Sequence, residues 1–344
     1  MTAAEHRVLI GSVVDDDQHE TGFGHPERPA RLRAVRHGIE ASGVDECIAE
    51  LDARPARITE LARVHDELYL DALAQLCDAG GGQLDPDTVA APGSWHTAVL
   101  GAGLGLSAVE ALRADGASAA FVAPRPPGHH ATALHAMGFC LLNNIAITAA
   151  ALAEDGERVA IIDWDVHHGN GTQSIFWNDR RVLFASLHQW PAYPGTGRAA
   201  ETGGPGAPGL NVNVPLPPGA TGDVALAAID EIVAPVVDAF APTWVLVSAG
   251  YDAHRDDPLA DLAWSAGDYA ALTARVLEFA PRTGRVIAFL EGGYDLDALA
   301  KSAGATVATL AGQPSVTEDP TNGGPGRDAV VSARSIRSRA EQEG

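Results

Sequence analysis

Short apolar runs alternate with helix-like segments from one end of this chain to the other. Residues 7–14, 119–123, 159–162, 181–187, 210–214, 244–248 and 285–290 are dominated by Val, Ile, Leu, Ala and Phe, a composition that suits strands packed on both faces. Between them, residues 30–42, 58–64, 66–76, 94–113, 143–152, 172–177, 222–240, 265–278 and 296–310 read as helices, with Pro29 just ahead of the first and Ser94 placed to cap another. Residues 79–93, AGGGQLDPDTVAAPG, read as a long loop. Such alternation calls for an α/β fold: a single, mostly parallel sheet with helices on both faces. No linker divides residues 1–313, which are predicted to form one domain. Residues 314–344 are polar, contain Pro, Gly and Arg, and lack an apolar period, so they are predicted to be a mobile tail.

The chemistry sits where strands stop. The run 159–162 leads directly into Asp163, Asp165, His167, His168 and Asn170. In open parallel sheets the carboxyl edge of the strands is where ligands bind. Asp165 and His167 are two apart, so on a continuing strand they point the same way. An oxygen and an imidazole nitrogen on one face make half a zinc site. Other strand ends carry His129-His130, His188, Asp252 and Tyr294. Asp252 can complete an Asp₂His ligand set that leaves positions for water and substrate. His129 and His130 suit general base and acid duty. Tyr294 follows Gly292-Gly293, and its hydroxyl can donate to an oxyanion. Each feature alone is more often structural than catalytic. Their joint placement on one sheet edge singles them out.

Composition narrows the partners. With 45 acidic residues against 23 basic ones the net charge is −22, which argues against nucleic acid and is compatible with a cationic substrate. One lysine, Lys301, stands among the basic residues, the rest being arginine. No apolar run approaches the roughly 18 residues of a membrane span. Cys47, Cys77 and Cys140 are scattered, which argues against a disulfide framework or a Cys-rich zinc site and predicts a reducing, cytoplasmic setting. The N-terminus lacks a signal-peptide core, consistent with that setting. A homo-oligomer is compatible with the sequence, which leaves the oligomeric state open.

Nine motifs then carry a resemblance: HPERPARL (25–32), RPPGHHA (125–131), GFCLLNN (138–144), DWDVHHGNGTQ (163–173), SLH (186–188), YPGTG (193–197), NVNVPLPPG (211–219), SAGYDAH (248–254) and LEGGYDL (290–296). In these the sequence resembles the histone deacetylase superfamily, including class II-like bacterial histone deacetylase-like amidohydrolases and acetylpolyamine amidohydrolases. The resemblance implies the arginase/deacetylase fold, a single parallel sheet of eight strands. It implies one catalytic zinc on Asp165, His167 and Asp252. It makes His130 the general base and acid, His129 a second imidazole paired through Asp163, Asn170 a contact of His130, and Tyr294 the oxyanion donor. It implies a structural potassium at Asp163, Ser186 and the backbone near Asp165, His167 and Leu187. It also implies an acyl-lysine tunnel walled by Gly138 and Phe139, with Tyr193 opposite.

The expected function is zinc-dependent removal of acetyl or other acyl groups from acylated amines. Polyamine-specific relatives carry an acidic gatekeeper where this chain has Leu259, so acetyl-lysine side chains are the favoured substrate and acetylpolyamines or other small acetylated amines the alternative. Asp85 and Asp87, in the long loop, are candidates for holding a substrate backbone at the rim. A non-enzymatic acyl-lysine reader is disfavoured by the intact His pair and Tyr294. An arginase-like hydrolase would need ligands for two metals, and one site's ligands are evident.

Overall fold

In the computed structural model, which describes residues 7–13 and 18–343, the strands are β1 (Val8–Ser12), β2 (Ile48–Glu50), β3 (Gly82–Asp85), β4 (Thr88–Ala90), β5 (Ala119–Ala123), β6 (Val159–Asp163), β7 (Val182–Gln189), β8 (Asn211–Leu216), β9 (Trp244–Ala249) and β10 (Val286–Leu290). The helices are α1 (Ala30–Ala41), α2 (Ile58–Leu61), α3 (Glu67–Asp78), α4 (Ser94–Asp115), α5 (Asn144–Glu154), α6 (Asn170–Phe176), α7 (Gly222–Ala228), α8 (Ala234–Phe240), α9 (Ala266–Leu277), α10 (Leu296–Leu310) and α11 (Arg327–Glu343). The run Asp15-Asp16-Asp17, which the sequence places after the first strand, lies outside the described residues.

Among the described residues, eight strands form one parallel sheet in the order β2-β1-β5-β10-β9-β6-β7-β8. Every residue of β5, β6, β9 and β10 is buried, which is why these strands are continuously apolar rather than alternating. The chain lays down β5 and β6 apart and later threads β9 and β10 between them. Their carboxyl ends therefore meet at the centre of one sheet edge, the place where such sheets bind ligands. Helix α4 is long and apolar enough to cross a membrane, but most of it is buried, and it packs against α5, β1, β5 and β10.

Three elements depart from the sequence reading. Residues 79–93 are not a plain loop: β3 and β4 form an antiparallel hairpin. Its strands are four and three residues long, too short for an alternation to announce them. The edge strand β2, only three residues long, escaped for the same reason. Residues 327–343 form a helix where a mobile tail is expected, and α11 packs on β8. Val330 and Ala333 are buried beneath it, and the Arg337 guanidinium donates to the carbonyls of Gly209 and Asn211. The helix thereby covers an edge that would otherwise present unpaired backbone groups. Its buried stripe is too narrow and too polar in its surroundings to read as an apolar period.

Candidate active site

Strand β6 ends at Asp163, so Asp165 and His167 converge for a different reason than strand alternation. The turn that carries them is pinned from both sides. Trp164 N donates to Ser248 O (3.1 Å), Asp165 N to Asp163 Oδ1 (3.1 Å), and Val166 N to Asp252 Oδ1 (3.0 Å). Ligand atoms of Asp165, His167 and Asp252 come within 4.8 Å of one another. His167 Nδ1 faces Asp165 Oδ1 at 3.2 Å and Asp252 Oδ2 at 3.1 Å, so one ring nitrogen confronts two carboxylates. Gly292 N donates to the other Asp165 oxygen (2.7 Å). A Cβ on Gly250 or Gly292 would collide with these carboxylates, which explains why glycine follows both β9 and Glu291.

The electrostatics demand a cation here. Burial opposes a charge on His167, yet hydrogen bonds and charges from Asp165 and Asp252 outweigh it and hold its pKa at about 10. Burial likewise raises Asp165, but the His129 charge and the His167 hydrogen bond win and lower it. Burial and the neighbouring Asp165 raise Asp252. One imidazole nitrogen and two buried carboxylates, short of positive charge, are a donor set that fits a divalent metal.

The two adjacent histidines are in opposite states. His129 Nδ1 donates to Asp163 Oδ2 at 3.0 Å. Burial disfavours its charge, but Asp165 and Asp163 prevail and raise it to about 10. Glu291 adds to this from behind, accepting from Gly128 N (2.6 Å) and His129 N (3.1 Å). His130 is pushed well below the usual range by burial and by the cationic His129 and His167. Asn170 Oδ1 lies 2.8 Å from His130 Nδ1. An amide oxygen only accepts, so His130 carries its proton on Nδ1 and Nε2 keeps a lone pair. Asn170 is the first residue of α6, where its backbone is fixed by the helix.

A cavity of about 210 Å³ opens above these groups, lined by Asp87, His130, Gly138, Phe139, His167, Tyr193, Leu259 and Tyr294. Gly138 and Phe139 both have positive φ, 55° and 67°, and a Cβ on Gly138 would strike the His130 ring. Phe139 N donates to Thr88 Oγ1 (2.9 Å), so the β3–β4 hairpin holds the tunnel wall. Tyr193 lies edge-on to His130, with centroids 5.1 Å apart, and Leu259 is exposed at the mouth. Asp87 lines the cavity and is raised by burial and by Asp85. Asp85 stands behind it, accepting from Asp87 N at 3.2 Å, and does not line the cavity. Burial lifts the Tyr294 hydroxyl well above its usual range, so it stays a donor. Away from the cavity, Asp163 and Ser186 are paired in register across β6 and β7, and buried Leu187 follows. Ser186 Oγ bonds to His188 Nδ1 at 2.9 Å.

Sequence reasoning missed a second layer. Asp257 Oδ2 accepts from Tyr294 N (2.6 Å) and Asp295 N (3.1 Å), fixing where the tyrosine stands. Arg31 lies 4.9 Å over the Tyr294 ring and donates to Gly293 O (2.7 Å) and Glu291 O. Buried Glu27 meets Arg31 at 3.5 Å and Arg125 at 2.8 Å. His25 packs edge-on against Phe139 at 4.8 Å. The available signal was charge inside the quoted motifs: HPERPARL and RPPGHHA keep Glu27, Arg31 and Arg125 beside apolar or small residues.

A family model described as the histone deacetylase domain matches residues 25–310. A probable deacetylase of Archaeoglobus fulgidus is 42% identical over 285 residues, covering 81% of this chain and 79% of the relative. The histone deacetylase-like amidohydrolase of Pseudomonas aeruginosa is 40% identical over 308 residues, covering 88% of this chain and 81% of that one. The crystal structure of the HDA15 HD domain matches with a TM-score of 0.87 and 34% identity, over 98% of this chain and 95% of that chain. With its fold and most of its length shared in this way, the chain belongs to the histone deacetylase family and to that family's deacetylase and amidohydrolase class of hydrolases.

Proposed function

We propose that this chain is a zinc-dependent deacylase acting on acetyl-lysine side chains. The observation that carries the reading is the cavity itself, which brings Phe139, Tyr193, Leu259 and Asp87 together with His130, His167 and Tyr294. The apolar and aromatic side chains Phe139, Tyr193 and Leu259 suit the aliphatic stem of an acylated lysine, whose side chain has lost its charge.

Zinc, held by Asp165, His167 and Asp252, would polarise the acyl carbonyl and acidify a water molecule. His130 Nε2, with its lone pair exposed, takes a proton from the attacking water as the water oxygen bonds to the acyl carbon. Burial keeps His130 from charging before the reaction, with His129 anchored beside it on Asp163. The Tyr294 hydroxyl donates to the carbonyl oxygen as it gains charge. The carbon–nitrogen bond then breaks, His130 passes its proton to the leaving amine, and acetate and the free amine depart. Asp87, which lines the cavity with Asp85 behind it, would accept backbone N–H groups of a peptide at the rim. Asp163, Ser186 and Leu187 are proposed to hold a structural potassium, a reading supported by the buried Asp163 carboxylate beside Ser186. A potassium-for-larger-cation exchange that leaves thermal stability unchanged would remove it.

One observation favours a second substrate class. The Asp87 carboxylate on the cavity wall, in a chain of net charge −22, would attract a cationic acetylpolyamine. Rates on an acetyl-lysine peptide and on acetylspermidine, with the zinc-loaded enzyme, decide between them. The peptide is expected to be the better substrate. Release of acetate from neither would overturn the proposal.

A further inference from the structure

Residues beyond 310, where the family match stops, reach back to the loop that follows Asp252. We infer that Glu318 is a positioning residue: through His254 and Asp257 it sets the loop that walls the tunnel mouth and seats Tyr294. This rests on the reading of that cavity as the deacylation site.

The loop runs from Asp252 to the start of α9 and carries Leu259. Its two ends are tied together, Arg255 N to Trp264 O at 2.9 Å and Trp264 N to Ala253 O at 3.1 Å. His254, in its first turn, is fully buried. Its Nδ1 accepts from Asp256 N at 3.2 Å. The ring proton is therefore on Nε2, which donates to Glu318 Oε2 at 2.8 Å. The same oxygen accepts from Ala266 N at 3.1 Å. One carboxylate oxygen thus fastens both the loop's first turn and the helix that ends it. Glu318 is the partner that the structure offers this buried N–H, and an unpaired buried donor is costly.

The tie continues to the chemistry. Asp257 N donates to His254 O at 2.9 Å. One Asp257 oxygen accepts from Leu259 N at 3.1 Å, and the other accepts from Tyr294 N at 2.6 Å. Glu318, His254, Asp257 and Tyr294 are therefore linked by three successive contacts. His254, Asp256 and Glu318 also gather donor atoms within 4.8 Å. They are not offered as a second metal site. Both His254 nitrogens are engaged, and Lys301 (3.2 Å) and Arg255 (3.3 Å) already neutralise Glu318.

The mechanism turns on reach rather than charge, and three variants separate these. Glu318→Asp keeps the charge and withdraws the acceptor by one methylene. Glu318→Gln removes the charge and leaves an oxygen in place. Lys301→Met removes only the outer ion pair. Backbone amide hydrogen exchange is followed at Asp256, Leu259 and Tyr294, with β6 and β7 as internal references, alongside kcat/KM, KM and zinc content. Glu318→Asp is expected to speed exchange at those three amides about tenfold and to lower kcat/KM by a similar factor, with zinc content and the reference amides unchanged. Glu318→Gln and Lys301→Met should resemble the parent. Parental exchange in Glu318→Asp overturns the inference, as does an equal effect in Lys301→Met. Exchange needs no substrate, so an enzyme without deacylase activity would defeat the functional reading while this result still decides the role of Glu318.

Discussion

Two clusters of histidine and carboxylate lie on either side of one loop, and they solve opposite problems. In Asp165, His167 and Asp252, one imidazole nitrogen faces two buried carboxylates and cannot donate fully to both. In His254, Asp256 and Glu318, each ring nitrogen has its own partner, and Lys301 and Arg255 supply the balancing charge. The donor types are the same in both. What differs is unmet charge: the first cluster is short of a cation and the second is not. A ligand count alone would equate them, whereas charge balance and lone-pair direction tell a metal centre from a structural ion pair.

The largest expected effect follows from that difference. Asp252→Asn should abolish zinc binding and lower turnover by more than the roughly 10–100-fold that changes around a ligand shell cost. Glu318→Gln should retain one zinc per chain. Metal analysis on the two purified variants checks both, and zinc retained by Asp252→Asn, or lost from Glu318→Gln, would break the comparison.

Next in size is Tyr294, which stands at the meeting point of the two clusters. Tyr294→Phe should lower kcat roughly 10²–10³-fold, as removal of an oxyanion donor does. Its zinc content should not change, since the ring is held by Arg31 and the backbone by Asp257, not by the hydroxyl. Parental turnover in this variant would mean that the hydroxyl does not meet the developing charge.

How far these clusters could be read from the chain follows from where their parts lie. Asp165 and His167 are neighbours in sequence, and Asp252, His130 and Tyr294 each follow an apolar run, so parallel-sheet geometry was enough to gather them on one edge. Strand alternation does not set Asp165 and His167, however, because β6 stops at Asp163 and a pinned turn orients them. Asp257 and Glu318 gave no such signal. Asp257 acts on a backbone N–H far along the chain, and Glu318 lies in a stretch whose polarity resembles a solvated tail. The hairpin and α11 were hidden likewise, since their stabilising contacts are made with distant segments and leave no local period.

Proton release sharpens the comparison in solution. His167 holds its proton up to about 10 because two carboxylates demand a charge there. A metal ion meeting that demand must displace the proton. Near neutral pH, zinc binding should release about one proton, and affinity should fall about tenfold for each unit of acidification below the raised pKa. The sign is fixed by the direction of the shift: a raised pKa means that the protonated site competes with metal throughout the physiological range. Calorimetric titrations in buffers of different ionisation enthalpy measure the number released. Release of none would show that the first cluster does not hold its histidine charged.

The smallest effect belongs to the outer rim of the second cluster. Lys301 is 41% exposed, and its contact with Glu318 is a 3.2 Å ion pair in high-dielectric surroundings. Lys301→Met should cost under about 1 kcal/mol and move the melting temperature by only about 1–2 °C. The buried His254–Glu318 bond, by contrast, leaves an unpaired N–H when it is broken, a cost that solvent does not relieve. Glu318→Asp should therefore destabilise the chain more than Lys301→Met, although it keeps the charge and the latter removes one. Thermal melts of the two variants side by side test this order. The reverse order would mean that the second cluster is held by charge after all, and the distinction from the first cluster would then rest on lone-pair direction alone.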